Sequence, residues 1–204
     1  SDVARSMGFT WTAGVVGAGI ESDPDDPRRQ IPSVVQSGLT LPSRDYYLEP
    51  GEPYEGVRTA LLEYIASTFR RAGVPDAEAR AAKVLALETE MARRHWTRAE
   101  MRDVVRQNRV MSLAELKDWA PGFDWGAFLG EIGYDKQPRI KVKSDTAVRD
   151  LARLFADTPV AELQSFMLFH ALDDWSNSLS DEWVDAYFDF HGRRLMGVAQ
   201  RRPF

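Results

Sequence analysis

The chain changes its hydrophobic periodicity across residues 37–53, which read SGLTLPSRDYYLEPGEP. Before this stretch, apolar residues occur at alternate positions, as in a half-buried strand. After it they recur every three or four residues, as in amphipathic helices. The glycines, prolines, serines and aspartate of the stretch indicate turns. Its apolar residues can be buried, so we expect an ordered connector rather than a flexible linker; they are Leu39, Leu41, Tyr46, Tyr47 and Leu48.

The segment before the connector has the pattern of a small β-hairpin. Alternating apolar positions predict a first strand over residues 9–16, and an acidic loop marked by proline follows from Glu21 to Arg29. The second strand is predicted from Ile31 to Val35. Pro32 restricts this strand to an edge of the sheet, because proline cannot donate to a neighbouring strand. The apolar residues of the first strand are Phe9, Trp11, Ala13 and Val15.

Residues 54–204 have helical periodicity nearly throughout, so we predict a helical bundle there. The first helix is expected to start near residue 54 and to end at Gly73 and Pro75. Asp76 is expected to cap the second helix, which reaches about His95.

Further start signals divide the rest of this bundle. Helices are predicted over residues 145–157 and after Ser180, with a short extended bridge at Ile140–Val142. Residues 166–169 are apolar on all sides of a helix, which indicates a central position in the bundle. The helix start signals are the capping boxes Thr97-x-x-Glu100 and Ser112-x-x-Glu115, the cap Asp124, and the pair Thr158-Pro159.

These patterns predict a mainly α fold, a multi-helix domain with a small N-terminal β-hairpin. We interpret residues 1–204 as one unit, in which residues 1–53 form the hairpin and connector and residues 54–204 the helical bundle. The chain begins at Ser1 rather than at methionine, and its last periodic segment is not followed by a helix-ending glycine. We therefore expect it to be part of a longer protein.

Composition excludes several classes of function. The formal charge is -5, and the arginine pairs are scattered along the chain, which argues against nucleic acid as a partner. The absence of cysteine rules out a thiol nucleophile, a thiolate metal site and disulfides. No apolar run is long enough to span a bilayer, so we expect no membrane segment in this chain.

The three histidines are the candidates for a metal site or a general base, but none belongs to a His-Glu-x-x-His motif. His95 lies at a helix end, where a cation is favoured by the exposed carbonyls, and we expect a capping or packing role. His191 lies on the apolar stripe of the last helix and is expected to be buried and hydrogen-bonded. We predict no catalytic residue and no metal ligand in this chain.

His170 is the most interesting histidine, because Asp173 and Asp174 follow it by three and four residues on one helix face. Such a cluster could orient a ligand or act as a base with its partner. No nucleophile or metal motif accompanies it, so we favour a polar contact within the helix or between helices over a catalytic role.

The connector and the helices after it resemble the N-terminal part of the neprilysin family of zinc metallopeptidases. The most specific stretch runs from Gly38 to Tyr47 and is similar to that family's Gly-Leu-x-Leu-Pro-x-Arg-Asp-Tyr-Tyr segment. Further matches in the family's order are Leu87-Glu88-x-Glu90 with Ala92, Met111-Ser112-Leu113, Phe123-Asp124-Trp125, Leu163-Gln164 and Ser178-Leu179-Ser180. The lack of cysteine makes a bacterial type of member the expectation.

The resemblance implies a non-catalytic domain that closes the peptide cavity of a zinc endopeptidase. In that family the His-Glu-x-x-His zinc site lies in the later half of the polypeptide, and this sequence does not contain it. The implied cofactor is therefore zinc in the parent enzyme and none in this chain. The implied partners are the remainder of the same polypeptide and a peptide substrate. A periplasmic or extracellular location is expected by the same resemblance.

The resemblance also assigns a structural role to the family-signature residues. Arg44 and Asp45 are expected to form a buried, hydrogen-bonded charged pair at the turn that leads the tyrosines into the core. The alternative reading of the whole chain is a stand-alone helical interaction module that uses this fold without a peptidase. The family-signature residues are Leu41, Pro42, Arg44, Asp45, Tyr46 and Tyr47.

Overall fold

A computed structural model describes residues 14–200 of the chain. Within these residues the fold is mainly α, as predicted, with eight α-helices and one four-stranded sheet. The strands are β1 (Val16–Ser22), β2 (Gln30–Gln36), β3 (Arg109–Met111) and β4 (Ile140–Val142). The helices are α1 (Asp45–Leu48), α2 (Tyr54–Arg71), α3 (Ala77–Arg94), α4 (Leu113–Trp119), α5 (Trp125–Glu131), α6 (Asp145–Asp157), α7 (Val160–Trp175) and α8 (Asp181–Tyr187).

The N-terminal hairpin is present, but its first strand lies later than predicted. Strand β1 begins at Val16 and pairs antiparallel with β2, from Val16 opposite Gln36 to Ser22 opposite Gln30. Of the predicted strand over residues 9–16, only Val16 lies in β1, and the residues Phe9, Trp11 and Ala13 lie outside the described part of the chain. Alternation did not indicate the rest of β1, because Gly17 and Gly19 leave it with few apolar side chains.

The sheet is larger than a hairpin, because β4 and β3 extend it in the order β1-β2-β4-β3. The prediction that β2 is an edge strand is therefore wrong. Its parallel pairing with β4 covers only Ser33 and Val34, so it begins just after Pro32, and Pro32 has no partner residue in β4. The extended bridge predicted at Ile140–Val142 is strand β4. Strand β3 has three residues, too few to give a period in the sequence.

Charged side chains tie the hairpin to β4 and the residue before it. The Asp23 carboxylate is fully buried and accepts two hydrogen bonds from Arg139, each 2.9 Å long. Arg139 also bonds Asp25, and Glu21 pairs with Lys141 and Lys143 at 3.0 and 2.7 Å. Because these partners are more than 100 residues apart, they hold the N-terminal hairpin against the distant chain.

The helical core is built by α2, α3 and α7, which pack on one another. Phe69 of α2 and Phe166 and Phe169 of α7 are fully buried, and the Phe69 and Phe169 rings meet edge to face at 6.3 Å. The predicted central position of residues 166–169 is confirmed at those two phenylalanines, although Leu168 faces outward and is 39% exposed.

Two of the predicted helix start signals are confirmed. Ser112 and Glu115 form a capping box at α4, and Asp124 Oδ1 accepts from the Ala127 N–H at α5. Thr97 and Glu100 make both bonds of a box, but only a single 3-10 turn, Glu100–Arg102, follows.

Two predicted caps are wrong. Asp76 has a φ of 56° and no capping bond from its side chain, since it forms the left-handed turn between α2 and α3 instead. Thr158 donates its hydroxyl back to the Leu154 carbonyl of α6, 2.6 Å away, so it closes the preceding helix rather than opening α7.

The last helix begins after Ser180, as predicted, and continues as a π-helix over Phe188–Leu195. A π-helix of this length is rare, and such segments are enriched at functional sites. Here it carries Phe190 into the core, where that ring stacks on Tyr64 at 4.5 Å.

Gly38 starts the connector in a conformation that only glycine adopts without strain. Its φ is +90°, and a Cβ atom there would lie 2.3 Å from Met91 Cε and 2.7 Å from the Gly14 carbonyl oxygen. Gly73 also has a positive φ, +68°, but nothing lies within 4 Å of a Cβ built on it. An alanine at Gly73 would therefore meet backbone strain alone, whereas an alanine at Gly38 would meet both backbone strain and steric overlap.

We predict that Gly38→Ala destabilises the fold more than Gly73→Ala does. The left-handed backbone costs each variant about 1–2 kcal/mol, and overpacking adds about 1–3 kcal/mol to Gly38→Ala alone. Urea denaturation measures both free energies of unfolding. Equal losses for the two variants would contradict the close packing of the connector against α3.

Candidate functional site

Glu88 of α3 is a fully buried acid and the centre of a polar cluster. Its Oε1 accepts from the Thr40 hydroxyl at 2.8 Å and lies 3.0 Å from His170 Nε2. Its Oε2 accepts from the Tyr47 hydroxyl at 2.5 Å and from the Thr40 backbone N–H at 3.2 Å. Each carboxylate oxygen thus has two partners, which is the satisfaction that a buried acid requires.

The connector, α3 and α7 supply this Glu88 cluster in a fixed geometry. The Tyr47 hydroxyl also accepts from the Leu41 N–H at 2.9 Å, so it links the beginning and the end of the family-signature stretch. Burial is the main cause that raises the pKa of Tyr47 well above its usual range, and the nearby Glu88 charge adds to it. The His170 ring packs against Phe166, with ring centres 4.3 Å apart.

The Glu88 cluster is sealed from solvent, so it is a structural centre rather than a place for chemistry. His170 is 3% exposed and Tyr47 4%. From the sequence, Glu88 was recognised only as part of the motif Leu87-Glu88-x-Glu90, and no role was predicted for it. A signal was present, because Glu88 lies one turn after Val84 and beside Leu87, on the face that α3 buries.

The structure separates the predicted cluster of His170, Asp173 and Asp174. His170 contacts Glu88, whereas Asp173 Oδ1 accepts from the Tyr64 hydroxyl at 2.5 Å and lies 2.9 Å from His191 Nε2. Asp174 is exposed. His170 thus makes a contact between helices, one of the two kinds of polar contact favoured from the sequence. His170 and Asp173 do not form one unit, because they bond to partners on different helices.

Tyr64, Asp173 and His191 form a second polar group that joins α2, α7 and the π-helix. His191 stacks on Tyr187 with ring centres 4.2 Å apart and is largely buried, as predicted. Burial raises the pKa of Tyr64, and the Asp173 charge raises it further. The π-helix thereby receives a fixed position on the bundle.

Arg44 and Asp45 do not form the buried charged pair that the sequence predicted. Both are half-exposed, and within residues 14–200 no ion pair joins them. Asp45 instead occupies the first turn of α1, where its carboxylate accepts from the Ser43 hydroxyl at 3.4 Å. Consecutive residues at a helix start point in different directions, which keeps the two side chains apart. The buried charge of this region is Glu88.

The other signature residues occupy different environments. Leu41 is 2% exposed and belongs to the core, and Pro42 is exposed at the surface. Tyr46 is half-buried and meets the Tyr54 ring edge to face at 5.5 Å. Its hydroxyl has no hydrogen bond within the described residues, in contrast to that of Tyr47.

His95 is buried and serves packing, but it is not the helix-end cation that we expected. The pKa of His95 is lowered to about 4, mainly by burial; the contact with the Ser37 carbonyl opposes this shift, and the Arg44 charge contributes to it. His95 Nε2 lies 3.1 Å from that carbonyl oxygen. The loss of solvent outweighs the attraction of the helix end, so the ring is neutral at about pH 7.

The described surface includes two clefts that are relevant to function. The larger has a volume of about 790 Å³ and lies between α2 and the π-helix, with Tyr64, Phe190, Asp189 and Arg194 among its walls. The smaller, of about 440 Å³, lies between the connector and the segment after α3. Neither Glu88 nor His170 lines either cleft.

We name the smaller cleft the connector pocket. Its walls include the signature residues Leu41, Pro42 and Arg44 on one side, and His95, Trp96, Arg98, Met101 and Arg102 on the other. This composition places arginines beside apolar surface in one concave site.

The described part of the chain holds no group of three or more histidine, cysteine or acidic side chains that could bind a metal ion. No helix in residues 14–200 is long and apolar enough to cross a membrane.

The chain is similar to known proteins over nearly its whole length. Residues 1–203 match a family model described as peptidase family M13. Endothelin-converting enzyme 1 of Mus musculus is 29% identical over 174 residues, which covers 82% of this chain and 22% of the enzyme. An endothelin-converting enzyme homolog of Locusta migratoria is 26% identical, over 88% of this chain and 25% of its own length.

Solved structures agree with these matches. The zinc metalloprotease Zmp1 of Mycobacterium tuberculosis, in complex with an inhibitor, has a TM-score of 0.91 and 25% identity, covering 98% of this chain and 31% of that one. PepO of Lactobacillus rhamnosis shares the fold, with a TM-score of 0.80 at 14% identity, over 99% of this chain and 32% of its own. The chain thus spans about a third or less of the relatives that it matches.

We predict that Tyr47→Phe destabilises the protein and that Tyr46→Phe does not. The first change removes the bond to Glu88 and leaves the Leu41 N–H without its acceptor, which costs about 1.5–3 kcal/mol. The second removes a hydroxyl without a partner, so the change should stay within about 0.5 kcal/mol. Chemical denaturation of the two variants makes the comparison. A tolerated Tyr47→Phe would show that the Glu88 cluster does not stabilise the fold.

We also predict that His95 makes stability depend on pH. Its folded pKa of about 4 lies below the ordinary 6.5, so the unfolded chain binds more protons between these values. The contribution is complete above about pH 6.5, falls as the pH drops and is lost near pH 4, with a limit of about 3 kcal/mol.

The matched control is His95→Gln, which keeps an N–H donor and does not titrate. The difference in unfolding free energy between the parent and this variant should shift against the parent as the pH falls from about 6.5 to about 4. A constant difference across that range would rule out a buried neutral His95.

Proposed function

Because the chain belongs to peptidase family M13, we propose that it is the non-catalytic domain that closes the peptide cavity of a zinc endopeptidase. Two observations together support this proposal. The chain matches the family from residue 1 to 203, and its described residues contain no cluster of potential metal ligands. A peptidase of this family would therefore take its zinc, its only implied cofactor, from the remainder of the polypeptide.

A rigid helical wall suits this role. A domain placed over a zinc site narrows the entrance, excludes water and sorts peptides by size before the metal-activated water attacks. Such a wall must keep its shape while the peptide enters. The Glu88 cluster supports this requirement, since it joins the connector to α3 and α7 through side chains that are buried and fully bonded.

An exposed apolar face supports the proposal that the remainder of the polypeptide packs on this chain. Leu168 and Trp175 are seven residues apart on α7, so they share a face, and they are 39% and 61% exposed. Leu179, which follows the 3-10 turn Ser176–Ser178 after α7, is 45% exposed. Large exposed apolar groups of this kind mark interaction surfaces.

The partners that follow are the remainder of the same polypeptide and a peptide substrate, with no role for nucleic acid. A periplasmic or extracellular location belongs to the same proposal.

We predict that this chain restores selective peptidase activity to the zinc-bearing remainder of its polypeptide by non-covalent assembly. Interfaces between domains of one chain bury about 600–1,500 Å², which suffices for micromolar association. The measurement compares cleavage of a short fluorogenic peptide and of casein by the remainder, with and without the 204-residue chain. Addition of the chain should raise cleavage of the short peptide and not of casein.

Two variants sharpen this comparison. Trp175→Ser removes the largest exposed apolar group of the α7 face and should raise the concentration needed for assembly at least about tenfold. Ile20→Ser, a change at a 58% exposed position of β1, serves as the control and should assemble like the parent. If the remainder alone cuts both substrates and the chain changes neither rate, the cavity-closing role is wrong.

A further inference from the structure

The connector pocket gathers three arginines from two separate segments. Arg44 comes from the signature stretch, and Arg98 and Arg102 come from the segment after α3. The Arg98 guanidinium lies 3.4 Å from Ser43 Oγ, so the two segments meet at the pocket. No aspartate or glutamate is among the described residues that line it.

None of these three arginines has an ion pair within residues 14–200, whereas many others do. Arg70 bonds Glu63 and Glu78, and Arg106 pairs with Glu100. Glu100, two residues from both Arg98 and Arg102, is thus already engaged, and it also accepts from Thr97. The positive charge of the pocket is left without a counterion from the described residues.

Two further acids are sequence neighbours of these arginines, Asp45 of Arg44 and Asp103 of Arg102, and neither forms an ion pair within residues 14–200. Asp103 Oδ1 instead accepts from the Val105 and Arg106 backbone N–H groups. Asp45 is not among the lining residues, and its carboxylate bonds the Ser43 hydroxyl rather than a guanidinium. Like charges gathered in a cleft repel one another and raise the local concentration of anions. The effect on a neighbour is visible at His95, where the Arg44 charge helps to lower the pKa.

The pocket also has an apolar part, formed by Leu39, Leu41, Trp96 and Met101. A volume of about 440 Å³ accommodates a few side chains of a peptide and not a folded domain. Guanidinium groups match the planar carboxylate, and the apolar surface matches the methylene groups that carry it. A glutamate side chain combines both features, whereas inorganic phosphate has no apolar part.

We propose that the connector pocket binds the glutamate side chains of an acidic peptide segment, with Arg44, Arg98 and Arg102 as the anion-binding residues. The segment is either part of the remainder of this polypeptide or a separate acidic peptide; both carry the same chemistry. The proposal does not depend on peptidase activity, because the pocket lies within the described chain.

Fluorescence anisotropy tests the proposal with a labelled peptide that is blocked at both ends and contains two adjacent glutamates. The blocked ends leave the side chains as the only carboxylates. The same peptide with glutamines is the neutral control. We expect the 204-residue chain to bind the acidic peptide at about 50 mM NaCl and to release it at about 500 mM, because salt screens exposed charges.

The variant Arg98→Gln/Arg102→Gln should weaken this binding at least about tenfold, since each guanidinium contributes a charge-assisted bond. Both residues are exposed, so the fold is expected to tolerate the change, and the melting temperature checks this. Arg194→Gln is the matched control. It removes an exposed arginine that lines the larger cleft, and it should leave the affinity unchanged.

Three results would overturn the proposal. The first is no binding of the acidic peptide up to about 1 mM, a concentration at which even a weak site is detected. The second is equal binding of the glutamine peptide. The third is an equal loss of affinity in the Arg98→Gln/Arg102→Gln variant and in Arg194→Gln. Displacement of the peptide by inorganic phosphate at lower concentration than by glutarate would also overturn the assignment to carboxylates.

A second arm identifies the source of the carboxylate. Binding of the peptide to the 204-residue chain but not to the whole polypeptide would show that the polypeptide's own acidic segment fills the pocket. Binding to both would assign the site to a separate peptide. Either outcome supports carboxylate recognition, and neither depends on the result of the cleavage assay.

Discussion

The buried carboxylate of Glu88 is the constraint on which the arrangement of this domain depends. It bonds residues that lie 48, 41 and 82 positions away, namely Thr40, Tyr47 and His170. A buried charge is tolerated only where every lone pair has a partner, so the connector, α3 and α7 must adopt one mutual position. Apolar packing around Phe69, Phe166 and Phe169 forms much of the core. Such packing restricts the relative orientation of the helices less than these hydrogen bonds do.

The residues that stabilise the domain around Glu88 differ from the residues that are accessible to a partner. The side chains that bond Glu88 most deeply, Tyr47 and His170, are enclosed and have no access to a ligand. The groups that can meet a partner lie in the two clefts and on the apolar face of α7. The signature stretch serves both purposes, because Tyr47 turns inward to Glu88 while Pro42 and Arg44 line the connector pocket.

The sheet shows how distance along the chain limits inference from sequence. Strand β2 alone suggested an edge, because Pro32 cannot donate. Its actual neighbour, β4, comes from more than 100 residues later, and the pairing starts one residue beyond the proline. Ion pairs join the hairpin to the chain around β4 over a similar sequence separation, and no local sequence pattern predicts them. They link Asp23 to Arg139, and Glu21 to Lys141 and Lys143.

The sequence by itself determined the long helices and some of the local caps. Periodicity located the long helices, and the Ser112 box and the Asp124 cap follow from bonds that span three residues. Only the tertiary structure decided which partner each polar group takes. His170 contacts Glu88 rather than Asp173, and Arg44 forms no ion pair with Asp45. The physical reason is that hydrogen bonds and ion pairs depend on distance in space, and a side chain takes the partner that burial brings to it.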